Sequence, residues 1–275
     1  MTGRPPPAAS TALVFLVRGR DAAWEASLRR FLASWRRHPA GLAHDLVLVC
    51  KGFDDPSGQR LVEEEAARAG ARCLPVEDGS FDLGAYRDAA RMLLHERLCF
   101  LNGHSEILAD GWLLKLARQL DRPDMGMVGC TGSFEVPRDF PSLRHPNVHL
   151  RTNGFLLGRG LFLEAVGGRA IRRKQDAYAL ESGPASLTRT VLSLGLGIAV
   201  VGADGQGYPP RLWPRSRTFR LGRQDNLLVG DNQTRAVATM TWDDRAFLAR
   251  HTWGRYLTEL LPPGMGRPQP GTVRR

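Results

Sequence analysis

The sequence predicts an α/β protein, with a mostly parallel sheet flanked by helices and folded as a single domain. Two observations carry this. Through the first half of the chain, short runs that are apolar on both faces alternate with segments of helical spacing. The 275 residues, 43% of them hydrophobic, suffice for one sizeable core, and no internal repeat or clear linker divides them.

Each element follows from its pattern. Residues 11–17 read as a buried strand. In residues 22–37, Trp24, Leu28, Phe31, Leu32 and Trp35 recur at three- and four-residue steps, which makes one face of a helix. Strands are predicted over 45–50, 72–76, 98–101 and 125–130, with helices over 61–69, 86–96 and 112–120 between them. The order is βαβαβαβαβ, and in such sheets ligands sit beyond the carboxyl ends of the strands. The second half is less regular. A loop with three prolines spans 134–146, then come a strand over 148–157 and a short helix over 161–166. A helix over 185–194, a strand over 198–201 and a last amphipathic helix over 243–261 complete the domain, expected at 11–261. Residues 205–235 read as a basic lid or extension. The Pro-rich ends, 1–10 and 262–275, read as disordered.

The net charge of +10 comes almost entirely from arginine, since the chain has only Lys51, Lys115 and Lys174. Arginine grips phosphate and carboxylate with a planar fork, so the balance favours an anionic partner. A GC-rich coding sequence would give the same richness in Arg and Ala. The four cysteines lie in or beside apolar runs without a C-x-x-C spacing, so reduced core thiols are expected rather than disulfides or a zinc site. No secretory leader pattern and no run of about 18 apolar residues occurs, which gives a cytoplasmic expectation with contact at the inner membrane face left open.

Polar groups cluster where strands end. After the first strand come Arg18, Gly19, Arg20 and Asp21, where Arg18 or Arg20 can pair with phosphate or the turn can simply cap a helix through Asp21. After the third come Asp82, Gly84 and Arg87, with Asp82 able to accept from a ribose or base and Gly84 able to admit a close ligand. After the fourth, Asn102, Gly103, His104, Ser105 and Glu106 follow an apolar run abruptly. Asn102, His104 and Glu106 could ligate a metal or donate to a pyrophosphate. Arg151, Thr152 and Asn153 interrupt a strand, costly unless they are paired or form a site wall. Asp176 and Glu181, read as preceding a helix that begins near Ser182, are candidate general bases. Trp213 and Phe219 interleave with arginines in the basic segment, as a lid over an anion or a nucleic-acid patch.

Taken in order, residues 13–20, 81–88, 100–106, 151–157 with 162–168, and 178–181 resemble the glycosyltransferases of the GT-A fold, especially the family-2-like group that includes rhamnan-synthesis proteins. The resemblance covers about residues 12–201. It implies a nucleotide-sugar donor, a glycan or lipid-linked acceptor, inversion at the anomeric carbon, and a divalent metal, Mg or Mn, held by an Asp-x-Asp. Here those positions are Asn102 and His104, without either aspartate. Glu181 best matches the family's base, with Asp176 the alternative. The candidate substrate-binding residues are Arg18, Asp82, Gly84, Arg87, Asn102, Arg151, Thr152, Asn153 and Trp213, the last outside the resemblance, in a segment read as a lid or acceptor-side extension. Two other readings stay open. One is a diverged, non-catalytic nucleotide-sugar-binding protein. The other is a nucleic-acid-binding protein, not favoured because the charges are scattered and no nucleic-acid motif appears.

Overall fold

The structure, a computed structural model, describes residues 9–258. Most of the two ends expected to be disordered, and the end of the last expected helix, lie outside the described residues. The first half runs β1 (Thr11–Arg18), α1 (Trp24–Arg37), β2 (Asp45–Lys51), α2 (Pro56–Arg68) and β3 (Arg72–Pro75). It continues with α3 (Asp82–Met92), β4 (Arg97–Leu101), a short β5 (Glu106–Ile107), α4 (Trp112–Leu120) and β6 (Met125–Gly129). The second half holds β7 (Gly132–Ser133), β8 (His149–Leu150), β9 (Gly154–Gly158), α5 (Arg159–Val166), α6 (Lys174–Glu181) and α7 (Leu187–Ser193). Then come β10 (Gly197–Val201), β11 (Gly207–Tyr208), a 3-10 turn (Pro210–Arg215), β12 (Val229–Gly230), α8 (Asn232–Thr239), α9 (Trp242–Trp253) and α10 (Arg255–Thr258).

The main sheet has eight strands in the order β11-β10-β6-β9-β4-β1-β2-β3. It is mainly parallel, with β9 and β11 reversed. Strand alternation splits the core in two. Ala12, Val14, Leu16, Leu98 and Phe100 face the side covered by α3, α5 and α7. Leu13, Phe15, Val17, Cys99 and Leu101 face α1, α2 and α4. This is why the strands are apolar on both faces. Phe15 and Phe31 stack across the β1–α1 interface at 3.8 Å.

The expected strand over 148–157 divides into β8 and β9, which belong to different sheets. The break falls at Arg151, Thr152 and Asn153. Because β9 runs backwards between β4 and β6, its start pairs with their carboxyl ends: Gly154 sits opposite Leu101, and Phe155 opposite Gly129. The three polar residues are thereby delivered to the mouth of the sheet. Asp176 and Glu181 do not precede a helix at Ser182. Both lie in α6, and the next helix starts at Leu187 behind the Ser186 cap, which accepts from the Arg189 amide at 3.3 Å. Likewise α3 starts at Asp82, earlier than the expected helix over 86–96, and the last helix breaks at Gly254, whose φ is +54°.

Candidate functional site

Three strand ends meet around Asp78. Arg18, closing β1, grips its carboxylate with a two-pronged fork, Nε to Oδ1 at 3.1 Å and Nη2 to Oδ2 at 3.2 Å. Arg20 reaches Oδ2 at 3.3 Å while forking onto Asp54 at 3.0 and 2.7 Å. Lys51, closing β2, has a side chain only 1% exposed and lies 3.5 Å from Asp78, and its ammonium donates to the Ser80 carbonyl. Burial pushes that ammonium below its ordinary range, against the pull of Asp82 and Asp78. Burial alone would raise the Asp78 carboxyl. The hydrogen bonds from Arg18 and the charges of Lys51 and Arg18 outweigh it and hold Asp78 below the usual carboxylate range.

Asp82 opens α3 beside this cluster. Its carboxyl is raised, first by the protein around it, then by the like charges of Glu181 and Asp21, with Lys51 and His104 opposing. Asp82 keeps an exposed face, so its desolvation is partial, and Lys51, Glu181 and His104 are among the charges that act on it. Gly84 packs against Ser80. A Cβ there would lie 2.3 Å from the Ser80 Cβ, so the glycine makes room for the loop. Arg87 donates to the Arg169 carbonyl at 2.7 Å and pairs with Asp88 at 3.1 Å, tying α3 to the segment after α5.

The turn after β4 is built for close packing. A Cβ on Gly103 would come within 3.0 Å of the Leu16 carbonyl, so only glycine lets the turn lie against β1 without a shift. Asn102 folds back on this turn: its Oδ1 accepts from the His104 amide at 3.0 Å and from the Ser105 hydroxyl at 2.9 Å. The Ser105 proton is shared with the Asn153 carbonyl, 2.8 Å away, so the His104 amide is the constant partner of that oxygen. Glu106 points to Arg235 at 3.4 Å. Asn102, His104 and Glu106 therefore do not form a cation site. Among the described residues no group of three or more His, Cys, Asp or Glu side chains is placed to hold a metal. A small cavity of about 10 Å³ between Arg18, Asp21 and His104 has room for about one water and none for a nucleobase.

The larger opening is a cleft of about 450 Å³ bordered by Glu135, His149, Arg151, Tyr178, Glu181 and Gln233, among others. Glu181 is fixed within it. Its Oε1 accepts from the Thr152 amide at 3.1 Å and from the Thr152 hydroxyl at 3.0 Å. His149 lies on the same wall, with Nδ1 2.8 Å from the Asn147 carbonyl. Burial lowers the His149 imidazole, against the pull of Glu181, so it is neutral at pH 7. Asp176 is no second base. Its Oδ2 accepts from the Arg172 and Arg173 amides at 3.0 and 2.9 Å, which caps α6.

The residues flanking Thr152 hold it in place. Arg151 donates to Asp231 at 2.9 Å and lies over the Phe219 ring at 4.0 Å. The Asn153 Oδ1 accepts from the Thr131 hydroxyl at 2.6 Å, and its carbonyl accepts from the Asn102 amide at 3.2 Å. Trp213 is fully buried, stacked near Phe134 at 5.9 Å, with Nε1 donating to the Tyr208 carbonyl at 2.9 Å. It cannot touch a substrate, and Phe219 is equally buried. An aromatic residue between arginines reads the same on a surface or in a core. Asp78, His149 and Asp231 fall in the polar segments the sequence marks but carry no role there, and Lys51 lies outside those segments. One signal was available: Lys51 is one of only three lysines and closes an apolar strand.

No protein-family model matches the chain, and no curated protein matches it significantly. Solved structures do. GalNAc-T7, determined with UDP, GalNAc and Mn2+, aligns with a TM-score of 0.50 at 12% identity, over 74% of this chain and 42% of its own. The mannosyltransferase PcManGT from Pyrobaculum calidifontis, in complex with GDP-Man and Mn2+, aligns with a TM-score of 0.49 at 14% identity, over 78% and 64%. HddC from Yersinia pseudotuberculosis gives 0.38 at 13% identity, over 56% and 79%. The chain thus spans less than two thirds of the first two. At such identities the likeness is one of fold: the chain has a GT-A-like α/β architecture, as its sequence predicts. Among the described residues, no helix is long and apolar enough to cross a membrane.

Proposed function

We propose that this protein is a glycosyltransferase that moves a sugar from a nucleotide-sugar to a hydroxyl of a glycan or lipid-linked acceptor. The family-2-like, rhamnan-synthesis-like kinship belongs to this reading, as does a role in cell-surface polysaccharide assembly on the cytoplasmic side of a membrane. One observation carries it: a carboxylate, Glu181, held by two Thr152 donors in a roomy cleft at the carboxyl ends of a GT-A-like sheet. The donor lies toward Arg18, Lys51 and Asp82, with Arg18 exchanging its Asp78 partner for a phosphate and Asp82 accepting from the nucleoside. The acceptor enters the cleft. Glu181 takes the proton of its hydroxyl as that oxygen attacks the anomeric carbon, and the bond to the diphosphate breaks with its electron pair leaving on the diphosphate oxygen. Both Thr152 bonds fall on Oε1, which leaves Oε2 for the acceptor.

A panel of nucleotide-sugars tests the reading by thermal shift and by turnover, each with and without Mn2+. At least one donor is expected to raise the melting temperature and to be consumed when an acceptor is present. A shift without turnover under any condition would favour the non-catalytic reading. No shift at all would reject both.

Thr152 is a positioning residue in this scheme. Thr152→Val keeps the amide donor and the shape but removes the hydroxyl. A hydrogen bond to a charged group is worth about 1.5–3 kcal/mol, and each 1.36 kcal/mol is tenfold in rate. Turnover is therefore expected to fall roughly tenfold or more, with the donor thermal shift retained and restored activity in Thr152→Ser. Unchanged turnover in the valine variant would show that the hydroxyl does not orient Glu181.

A further inference from the structure

Two thiols outside the cleft are neighbours. Cys50 closes the apolar run of β2, and Cys73 lies on β3, the edge strand. The parallel register sets Cys73 opposite Leu48. Leu48 and Cys50 share a face because side chains alternate along a strand. The two cysteines are therefore diagonal neighbours on one face, although 23 residues separate them in sequence. Their sulfurs stand 2.8 Å apart, where a disulfide requires about 2.05 Å. No C-x-x-C spacing marks this pair, because strand register creates it.

Their surroundings differ usefully. Cys50 is buried, at 2% exposure, while Cys73 is half-buried on an open edge. The hydrogen bond from Cys50 lowers the Cys73 thiol, against burial and the charge of Glu63 on α2. The same bond, with burial, pushes Cys50 up. Cys73 is thus the thiol that ionises and meets solvent, and Cys50 is in place to follow. The remaining thiols, Cys99 and Cys130, are fully buried, and burial raises both, Cys130 to about 12.

We infer that Cys50 and Cys73 form a redox site, closing to a reversible disulfide when hydrogen peroxide reaches the β3 edge. The Cys73 thiolate attacks one peroxide oxygen. The O–O bond breaks, the leaving hydroxide takes a proton to become water, and Cys73 becomes a sulfenic acid. The Cys50 sulfur then attacks the Cys73 sulfur, expelling the hydroxyl group as a second water with the proton that Cys50 gives up. Two thiols are oxidised and one peroxide is reduced to two waters. The bridge pins β2 to β3 one residue before Lys51, which anchors the loop carrying Ser80 and Asp78.

The test uses the full-length reduced protein treated with hydrogen peroxide. The intact mass is expected to fall by two hydrogens, two of the four thiols to resist alkylation after unfolding in denaturant, and digestion to yield one linked pair of peptides holding Cys50 and Cys73. Dithiothreitol should reverse all three. Cys73→Ser should abolish the link. In Cys50→Ala, Cys73 should stop at the sulfenic acid and be trapped by dimedone. Oxygen addition to Cys73 in the unaltered protein without a linked peptide would overturn the inference. So would a link through Cys99 or Cys130, or four thiols still open to alkylation.

Discussion

Replacement of Glu181 by Gln is expected to lower transfer by about 100- to 10,000-fold, the usual contribution of a general base, while the nucleotide-sugar thermal shift stays intact. The substitution is nearly isosteric. The amide oxygen of Gln can still accept from the Thr152 N–H and hydroxyl, so the turn at 151–153 keeps its anchor. What disappears is an oxygen able to take a proton from an attacking hydroxyl. The loss should therefore appear in kcat with donor binding unaffected, as it does when an interaction exists only in the transition state. Asp176→Asn is the matched comparison. Its carboxylate is occupied by the Arg172 and Arg173 amides, so turnover should stay near the unaltered level. Full transfer in Glu181→Gln would remove Glu181 from the chemistry. A lost thermal shift would instead place it on the donor.

The contrast between those carboxylates shows what a sequence can carry. Both precede Ser182 by a few residues, and both suit a helix start or a site. Only the fold separates them, because Asp176 falls in the first turn of α6 and Glu181 in its last, facing the turn before β9. The α/β layering was legible because strands buried on two faces and amphipathic helices differ in period. The reversal of β9 was not legible, since a short apolar strand has the same pattern in either direction. That reversal is what brings Thr152 to Glu181. The turn after β4 shows the same limit. Asn102 and His104 have the side chains of ligands, but whether an oxygen is free depends on a two-residue turn that consumes it. Trp213 reads as a substrate contact because an aromatic group looks alike in a site wall and in a core, and here it is buried against Phe134, while Arg151 borders the cleft with its charge held by Asp231.

The Arg151–Asp231 pair carries the largest expected effect on stability. The Asp231 side chain is fully buried and that of Arg151 is 9% exposed. Breaking a buried pair from one side leaves an uncompensated charge and costs about 3–5 kcal/mol. Asp231→Asn is expected to show a loss of that order, read as a lower urea midpoint with an unchanged slope. Asn can still accept from the Thr234 amide, 2.8 Å away in the native capping box, so most of the loss belongs to the stranded Arg151 and little to the cap of α8. Adding Arg151→Met should recover more than half, since the charge is gone and the chain can still cover Phe219. A single-variant loss below about 1 kcal/mol would mean that water screens the pair. The pH dependence has a definite sign. Burial raises the Asp231 carboxyl, but the Arg151 charge and the Thr234 amide outweigh it, so it titrates below its ordinary value. The unfolded chain then binds the proton more readily, and stability from this group is full above about pH 4 and lost as pH falls through the lower folded value. Asp231→Asn should flatten that acid loss. Because Arg151 adjoins Thr152, the same variant should also reduce transfer through a looser hold on Glu181, an effect that Arg151→Met in the same chain should partly reverse.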